Sequence, residues 1–239
     1  MGCTVIRAID ALGFRGHLRE AHRFASQHAH YLRTTTMYNV ARFGMVPADS
    51  SRAEFQRILA RAPRIMMTKL YGPWAADGDT AAIQTYVRLF EAGAPMTSSP
   101  MLRATRSTNA AAGRAYLALA RRDSASALRQ LLAIPDTLHQ CWYVNRLTIA
   151  RLLGAARRYR EAAARLERRW PGTIDCGNAV DDVLWTLERA RVFERVGRHA
   201  EAAESYAFVA DAWRTADPEL QPYVREAREG AARLGGGRR

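Results

Sequence analysis

Two stretches of this chain, forty residues apart, repeat each other without a gap: LTIARLLGAARRYREA (Leu147 to Ala162) and LERARVFERVGRHAEA (Leu187 to Ala202). Leu147/Leu187, Ala150/Ala190, Arg151/Arg191, Arg158/Arg198, Glu161/Glu201 and Ala162/Ala202 are identical, and the apolar positions between them mostly match. A fixed-period self-match made of helix-forming residues is the mark of stacked helical hairpins, because one hairpin cannot bury its apolar face alone.

The recurring unit reads as a helix with a small residue facing its partner, a tight turn, and a second helix opened by an x-E-A or x-S-A step. Alanine is needed where two antiparallel helices approach closely, since a larger side chain would push the backbones apart. Ala115, Ala150 and Ala190 fill that place in the first helix, and Ala127, Ala162 and Ala202, each twelve residues later, fill it in the second. The step recurs as GHLREA (Gly16 to Ala21) and, more loosely, as DGDTAA (Asp77 to Ala82). The anchors Ala21, Ala82, Ala127, Ala162 and Ala202 are separated by 61, 45, 35 and 40 residues. The widest interval has room for one more hairpin, drawn from TTTMYNVARFGMV and a helix opening at PADSSRAEFQRIL, with Asp49, Ser50 or Ser51 as its cap. Loops are expected at Ala94-Pro95 to Ser99-Pro100, Ile134-Pro135-Asp136, Trp170-Pro171-Gly172 and Ala216-Asp217-Pro218. PELQPYVREAREGAARL, with Pro218 and Pro222 near its start, reads as a final capping helix. No period-two alternation marks a strand. The expectation is an all-α chain of four to five hairpins: degenerate ones over 1–104, regular ones with the capping helix over 105–234, and a disordered tail over 235–239.

No run of about 18 apolar residues is present, so no membrane span is expected. The N-terminus carries Asp10 where an export signal would be apolar, which points to the cytoplasm. Cys3, Cys141 and Cys176 are too few for a disulfide framework. Cys141 and Cys176 hold equivalent places in successive repeats, where helices about 8–10 Å apart exceed the reach of a disulfide of about 7 Å, so reduced thiols are expected. The formal charge is +13, and Lys69 is the only lysine. Arginine in place of lysine is what a GC-rich coding bias would produce, but the surplus of base over acid favours an acidic surface as partner.

The repeat spacing resembles the tetratricopeptide repeat (TPR). In that motif an aromatic or apolar residue follows the second-helix Ala by four, a place held here by Leu131, Leu166 and Tyr206. Phe193 and Leu153 match its large apolar position, whereas Arg146 and Thr186 stand where its usual Trp would be. The segment from Leu184 to Leu234 further resembles the C-terminal repeat region of bacterial serine/threonine protein kinases and related multidomain regulators. The chain has no glycine-rich loop, HRD or DFG segment. The resemblance therefore implies a right-handed α-solenoid acting as a protein-interaction or regulatory module, the non-catalytic part of a bacterial signalling protein.

First helices of such an array line a groove. Arg151 and Arg191 are equivalent, with Tyr116 at the same place one repeat earlier, and two guanidinium groups on successive rungs would clamp a carboxylate of a bound, acidic peptide. The plainer reading gives each Arg a structural ion pair, with Glu188, Glu194 or Glu161 at hand; Glu194 is kept as a groove candidate. The basic runs Arg121-Arg122, Arg157-Arg158, Arg165 with Arg168-Arg169, and Arg238-Arg239 would suit a phosphate backbone, so nucleic acid is the second partner class. His28 with His30, and His17 with His22, are badly spaced for metal, and His139 with Cys141 and Cys176 lacks a paired-ligand pattern. Asp181-Asp182 reads as the acidic opening of the helix VLWTLERARVFERV. No spacing suggests a nucleophile with its base, and no enzyme activity, metal or cofactor is expected.

Overall fold

The computed structural model describes residues 2–28, 33–61, 67–135, 143–167 and 179–236. Among them the chain is helical throughout and holds no strand: α1 (Gly2–Arg15), α2 (Leu18–His28), α3 (Arg33–Arg42), α4 (Ala48–Arg61), α5 (Tyr71–Ala76), α6 (Thr80–Gly93), α7 (Pro100–Ala120), α8 (Ser124–Leu132), α9 (Tyr143–Ala155), α10 (Tyr159–Glu167), α11 (Ala179–Arg195), α12 (His199–Ala212) and α13 (Gln221–Gly235). His30, His139, Cys141, Cys176, the Trp170-Pro171-Gly172 loop, Arg168-Arg169 and Arg238-Arg239 lie outside the described residues.

One turn recurs five times. A left-handed residue, Gly16, Gly78, Arg122, Arg157 or Gly197, ends the first helix, and the second begins two residues later. In four of these turns the next amide bonds back to the fifth carbonyl before it: His17 to Leu12 at 2.9 Å, Asp79 to Trp74 at 2.8 Å, Asp123 to Ala118 at 2.9 Å and Arg198 to Phe193 at 2.8 Å. This satisfies carbonyls that a helix end leaves without partners. The residue five after the left-handed one is buried in every case: Ala21, Ile83, Ala127, Ala162 and Ala202 are at most 3% exposed. So is the residue twelve before each of those, Ile9, Tyr71, Ala115, Ala150 and Ala190. The six alanines expected at helix crossings are all at 0%. The second anchor moves by one: Ile83, not Ala82, is the buried residue, because Gly78 sets the turn and Asp79 caps the helix by accepting from the Ala82 amide at 3.0 Å. Asp123 caps α8 in the same way.

The helices group into two compact units, Met1–Ile58 with Gly154–Arg239, and Leu59–Leu153. In the first, α11 packs on α10 and α12, α12 on α13, and α1 on both α2 and α11. Gly16 sits so close to this C-terminal layer that a Cβ would stand 2.5 Å from that of Ala216. Asp217 donates its amide to Gly16 O at 3.0 Å and accepts the Arg19 amide at 3.0 Å, capping α2 from the far end of the chain. Phe43 stands edge-on to both Trp213 and Tyr223. These contacts join residues far apart in sequence, beyond the neighbour-to-neighbour pairing that suffices for an open array. Pro218 opens a single 3-10 turn and Pro222 lies in the first turn of α13, as their positions in the sequence imply.

In the second unit α7 packs on α5, α6 and α8. Its centre is aromatic: Tyr71 stacks on Tyr116 at 5.7 Å and meets Trp74 and Tyr86 edge-on. Gly113 makes room for this, since a Cβ there would lie 2.5 Å from Val87 and 2.6 Å from the Tyr71 hydroxyl. The helix expected at PADSSRAEFQRIL forms as α4, which belongs to the first unit up to Ile58, but Asp49, Ser50 and Ser51 fall inside its first turn instead of at its cap. Ser51 Oγ donates to the Ala48 carbonyl, and Asp49 pairs with Arg52.

Candidate functional site

The identical positions of the two repeats have distinct tasks. Arg158 and Arg198 occupy the residue before α10 and α12, where Ser, Thr, Asp or Asn would usually cap the helix. Each turns its guanidinium onto the glutamate three residues on: Arg158 reaches Glu161 at 2.6 and 2.7 Å, and Arg198 forks onto Glu201 while its plane lies 4.0 Å over the Phe193 ring. Arg198 also pairs with Glu167, joining the end of α10 to the start of α12. These hydrogen bonds hold the Glu161 and Glu201 carboxyls below the usual range.

Arg191 and Glu194 lie on the face of α11 toward α12 and α13, inside a dense ionic array. Arg191 Nε and Nη2 grip Glu226 of α13 at 2.6 Å each, and Nη1 reaches Glu188 at 3.2 Å. The Glu226 hydrogen bonds are the main reason that its guanidinium titrates even higher than usual. Glu194 accepts from Tyr206 Oη at 3.0 Å and from Arg233 at 2.7 and 3.1 Å. Burial alone would raise the Glu194 carboxyl, but those donors hold it below its ordinary value; burial, then Glu194 itself, pushes the Tyr206 phenol up. The structural ion pair weighed for Arg191 is thus present with Glu188, and Glu226 adds a second carboxylate.

Tyr116 lies in the aromatic core of the second unit instead of along a surface. It is 1% exposed, and its hydroxyl meets Thr148 Oγ1 at 2.9 Å. Arg151 is exposed on α9 in that unit, so it and Arg191 belong to different units. Asp181 and Asp182 do fall in the first turn of α11, yet Asp181 is 2% exposed and receives Arg42 Nη1 at 2.6 Å. Burial opposes the charge on Arg42, but Tyr38 and Asp181 more than restore it. His22 faces Thr36 Oγ1 at 3.1 Å, His17 faces Thr215, and His28 packs on Phe24. Among the described residues no three His, Cys, Asp or Glu side chains gather as a metal site would require, and no helix is long and apolar enough to cross a membrane.

One basic depression of about 470 Å³ lies at the turn before α10 and the end of α11, lined by Arg157, Arg158, Tyr159, Arg160, Glu161, Arg195 and Val196. Arg158 and Glu161 satisfy each other. Arg157, Arg160 and Arg195 are exposed and have no hydrogen-bonded carboxylate among the described residues. Arg157 also holds a left-handed backbone, φ 59°, where the equivalent turn of the next repeat has Gly197. An L-residue there costs about 1–2 kcal/mol, an outlay that a glycine would avoid. The run Arg157-Arg158 was legible as a phosphate-matching feature; the partnership of Arg195, nearly forty residues on, was not.

No protein-family model, curated protein or solved structure matches this chain.

Proposed function

We propose that the chain is a protein-interaction or regulatory module built of TPR-like helical hairpins. In this reading the repeats of 105–234 stack as a right-handed α-solenoid closed by α13, and the module is the non-catalytic repeat region of a bacterial signalling protein such as a serine/threonine kinase. Its partner is a protein or peptide segment, acidic because the chain carries +13. The observation that supports this best is the single hairpin turn repeated five times, each with both crossing residues buried. Repetition of a binding-neutral scaffold is how helical-repeat proteins present extended surfaces. Arg191 and Glu194 pair with Glu226 and Arg233 of α13, and in this reading they serve as supports of that scaffold.

A second reading, sequence-tolerant nucleic-acid binding, is favoured by the depression with Arg157, Arg160 and Arg195. Anisotropy titration separates the two, using a mixed acidic-peptide pool and random single- and double-stranded oligonucleotides at about 50 and 200 mM salt. Peptide binding that survives the higher salt upholds the interaction module. Oligonucleotide binding that falls by orders of magnitude moves the charge onto phosphates. Binding of neither class rejects both readings.

A further inference from the structure

We propose that the corner between α6 and α7 docks one amphipathic helix of a partner protein, apolar on one side and rimmed by Asp and Glu. This rests on the protein-interaction reading and gives it a place and a partner chemistry.

Four of the five large apolar side chains that stand exposed among the described residues fall within 89–102: Leu89 at 44%, Met96 at 84%, Met101 at 67% and Leu102 at 47%. A concentration of that kind marks an interaction surface, where single scattered apolar residues would not. Leu89 and Met96 open onto a depression of about 460 Å³ floored by Tyr86 and Phe90 and edged by Arg106. Its volume suits one or two large side chains of a bound helix.

The loop that carries Met96 is held in shape. Arg106 Nη1 donates to the Gly93 carbonyl, Arg103 Nη2 to the Thr97 carbonyl at 3.1 Å, and Ser99 caps α7 by accepting the Leu102 amide. A surface already ordered loses less entropy on binding, so a pinned loop presenting bare methionine is suited to a partner. Methionine also adapts to varied apolar shapes.

Charge chooses the partner. Arg19, Arg42, Arg158, Arg191 and Arg198 close onto carboxylates, while Arg157, Arg160 and Arg195 stand without one among the described residues but beside no exposed large apolar side chain. At this corner Arg103 and Arg106 bond to backbone carbonyls, which leave their charge uncompensated, and exposed Arg88 next to Leu89 has no carboxylate partner among the described residues. The one acid close in sequence, Glu91, is taken by Arg114. A depression with Leu89, Phe90 and Met96 in its lining, Arg106 at its edge and Arg88 and Arg103 close in sequence is complementary to a helix with Leu or Phe at i, i+3 and i+7 and Glu around them. The depression beside Leu89 and Met96 accepts a side chain from such a helix.

The test is anisotropy titration of a labelled, terminally blocked peptide of Leu and Glu in that pattern against the full chain, with melting curves confirming each variant folded. Both substituted side chains are exposed, so the fold is expected to survive. Leu89→Glu with Met96→Glu is expected to lower affinity by about tenfold or more, the scale of a lost interface anchor. Arg157→Ala with Arg160→Ala is expected to change it less than twofold. An equal loss in both double variants, or none in the first, overturns the corner while leaving the interaction reading standing. Failure of this peptide and of the acidic-peptide pool alike overturns both. Binding to phosphatidylserine vesicles that the first double variant abolishes, with no peptide binding, overturns the protein partner in favour of a lipid surface.

Discussion

The layer of α11, α12 and α13 and the corner of α6 and α7 use the same cation to opposite ends. In the first, Arg191, Arg198 and Arg233 each meet a glutamate, and two of those pairs, Arg191–Glu226 and Arg233–Glu194, tie α13 to α11. In the second, Arg103 and Arg106 hold a loop through its carbonyls. Both arrangements order the backbone. Only the second leaves net charge facing outward, because a carbonyl accepts a hydrogen bond without cancelling the donor's charge. An arginine count therefore says little about binding until each guanidinium has been traced to its acceptor.

The largest expected effect probes how far carboxylate pairing carries the first unit. Arg42→Ala leaves Asp181 charged and buried, and should cost about 3–5 kcal/mol in urea unfolding; a loss below 1 kcal/mol would mean that this pair does not tie α3 to α11. Next, Ala190→Trp forces a large ring into a crossing where the alanine is at 0% exposure, and should destabilise by about 1–3 kcal/mol; an unchanged melting temperature would break the hairpin assignment itself. Arg191→Ala sharpens the comparison directly. Its pairs are about one-third exposed, so solvent screening limits the loss to about 1 kcal/mol, whereas Arg103→Ala should alter stability by less and peptide affinity by more. The reverse ranking would dissolve the distinction between the two regions.

Acid should act on the first unit through His22. Burial, then Arg33, holds its imidazole below the ordinary value of 6.5. The unfolded chain consequently binds more protons there, and stability falls as pH drops below about 6.5. His22→Gln should flatten that slope; an unaltered slope would assign it to other groups. Glu194 acts in the same direction at lower pH, since its contribution is present above the ordinary carboxylate value and is lost as pH falls through its depressed folded value. The smallest effect is a gain: Arg157→Gly relieves the left-handed backbone and should stabilise by about 0.5–1 kcal/mol net of the entropy glycine adds to the unfolded chain. If the basic depression binds phosphate, the same change should weaken oligonucleotide binding.

Much of the hairpin construction was legible. The spacing of twelve between crossing residues, the helices of residues 33–61 and the capping helix follow from composition and punctuation. The same spacing holds where alanine is missing from one place, in Ile9/Ala21, or from both, in Tyr71/Ile83, and in the latter pair the buried anchor stands one residue past Ala82. The glycine offset would have located it: Gly16, Gly78 and Gly197 each precede a buried anchor by five. Tyr116 misled for a related reason. Equivalence to Arg151 and Arg191 fixed its place along a helix, not what stood opposite, and there Tyr71, admitted by the missing Cβ of Gly113, stacks on the ring.

By itself the sequence determined what is local: where helices begin, turn and cross, since apolar period, glycine and proline act within a few residues. Some charges are neutralised locally, as Arg158 is by Glu161 and Arg198 by Glu201 three residues on, but tertiary structure decided the long-range partners. Asp217 caps a helix that starts near residue 18, Glu226 closes Arg191, Arg42 buries with Asp181, and Arg106 finds a carbonyl. Helical spacing constrains neighbours three and four residues apart, whereas the acceptors of Arg42 and Arg191 in Asp181 and Glu226 arrive from segments brought in by packing.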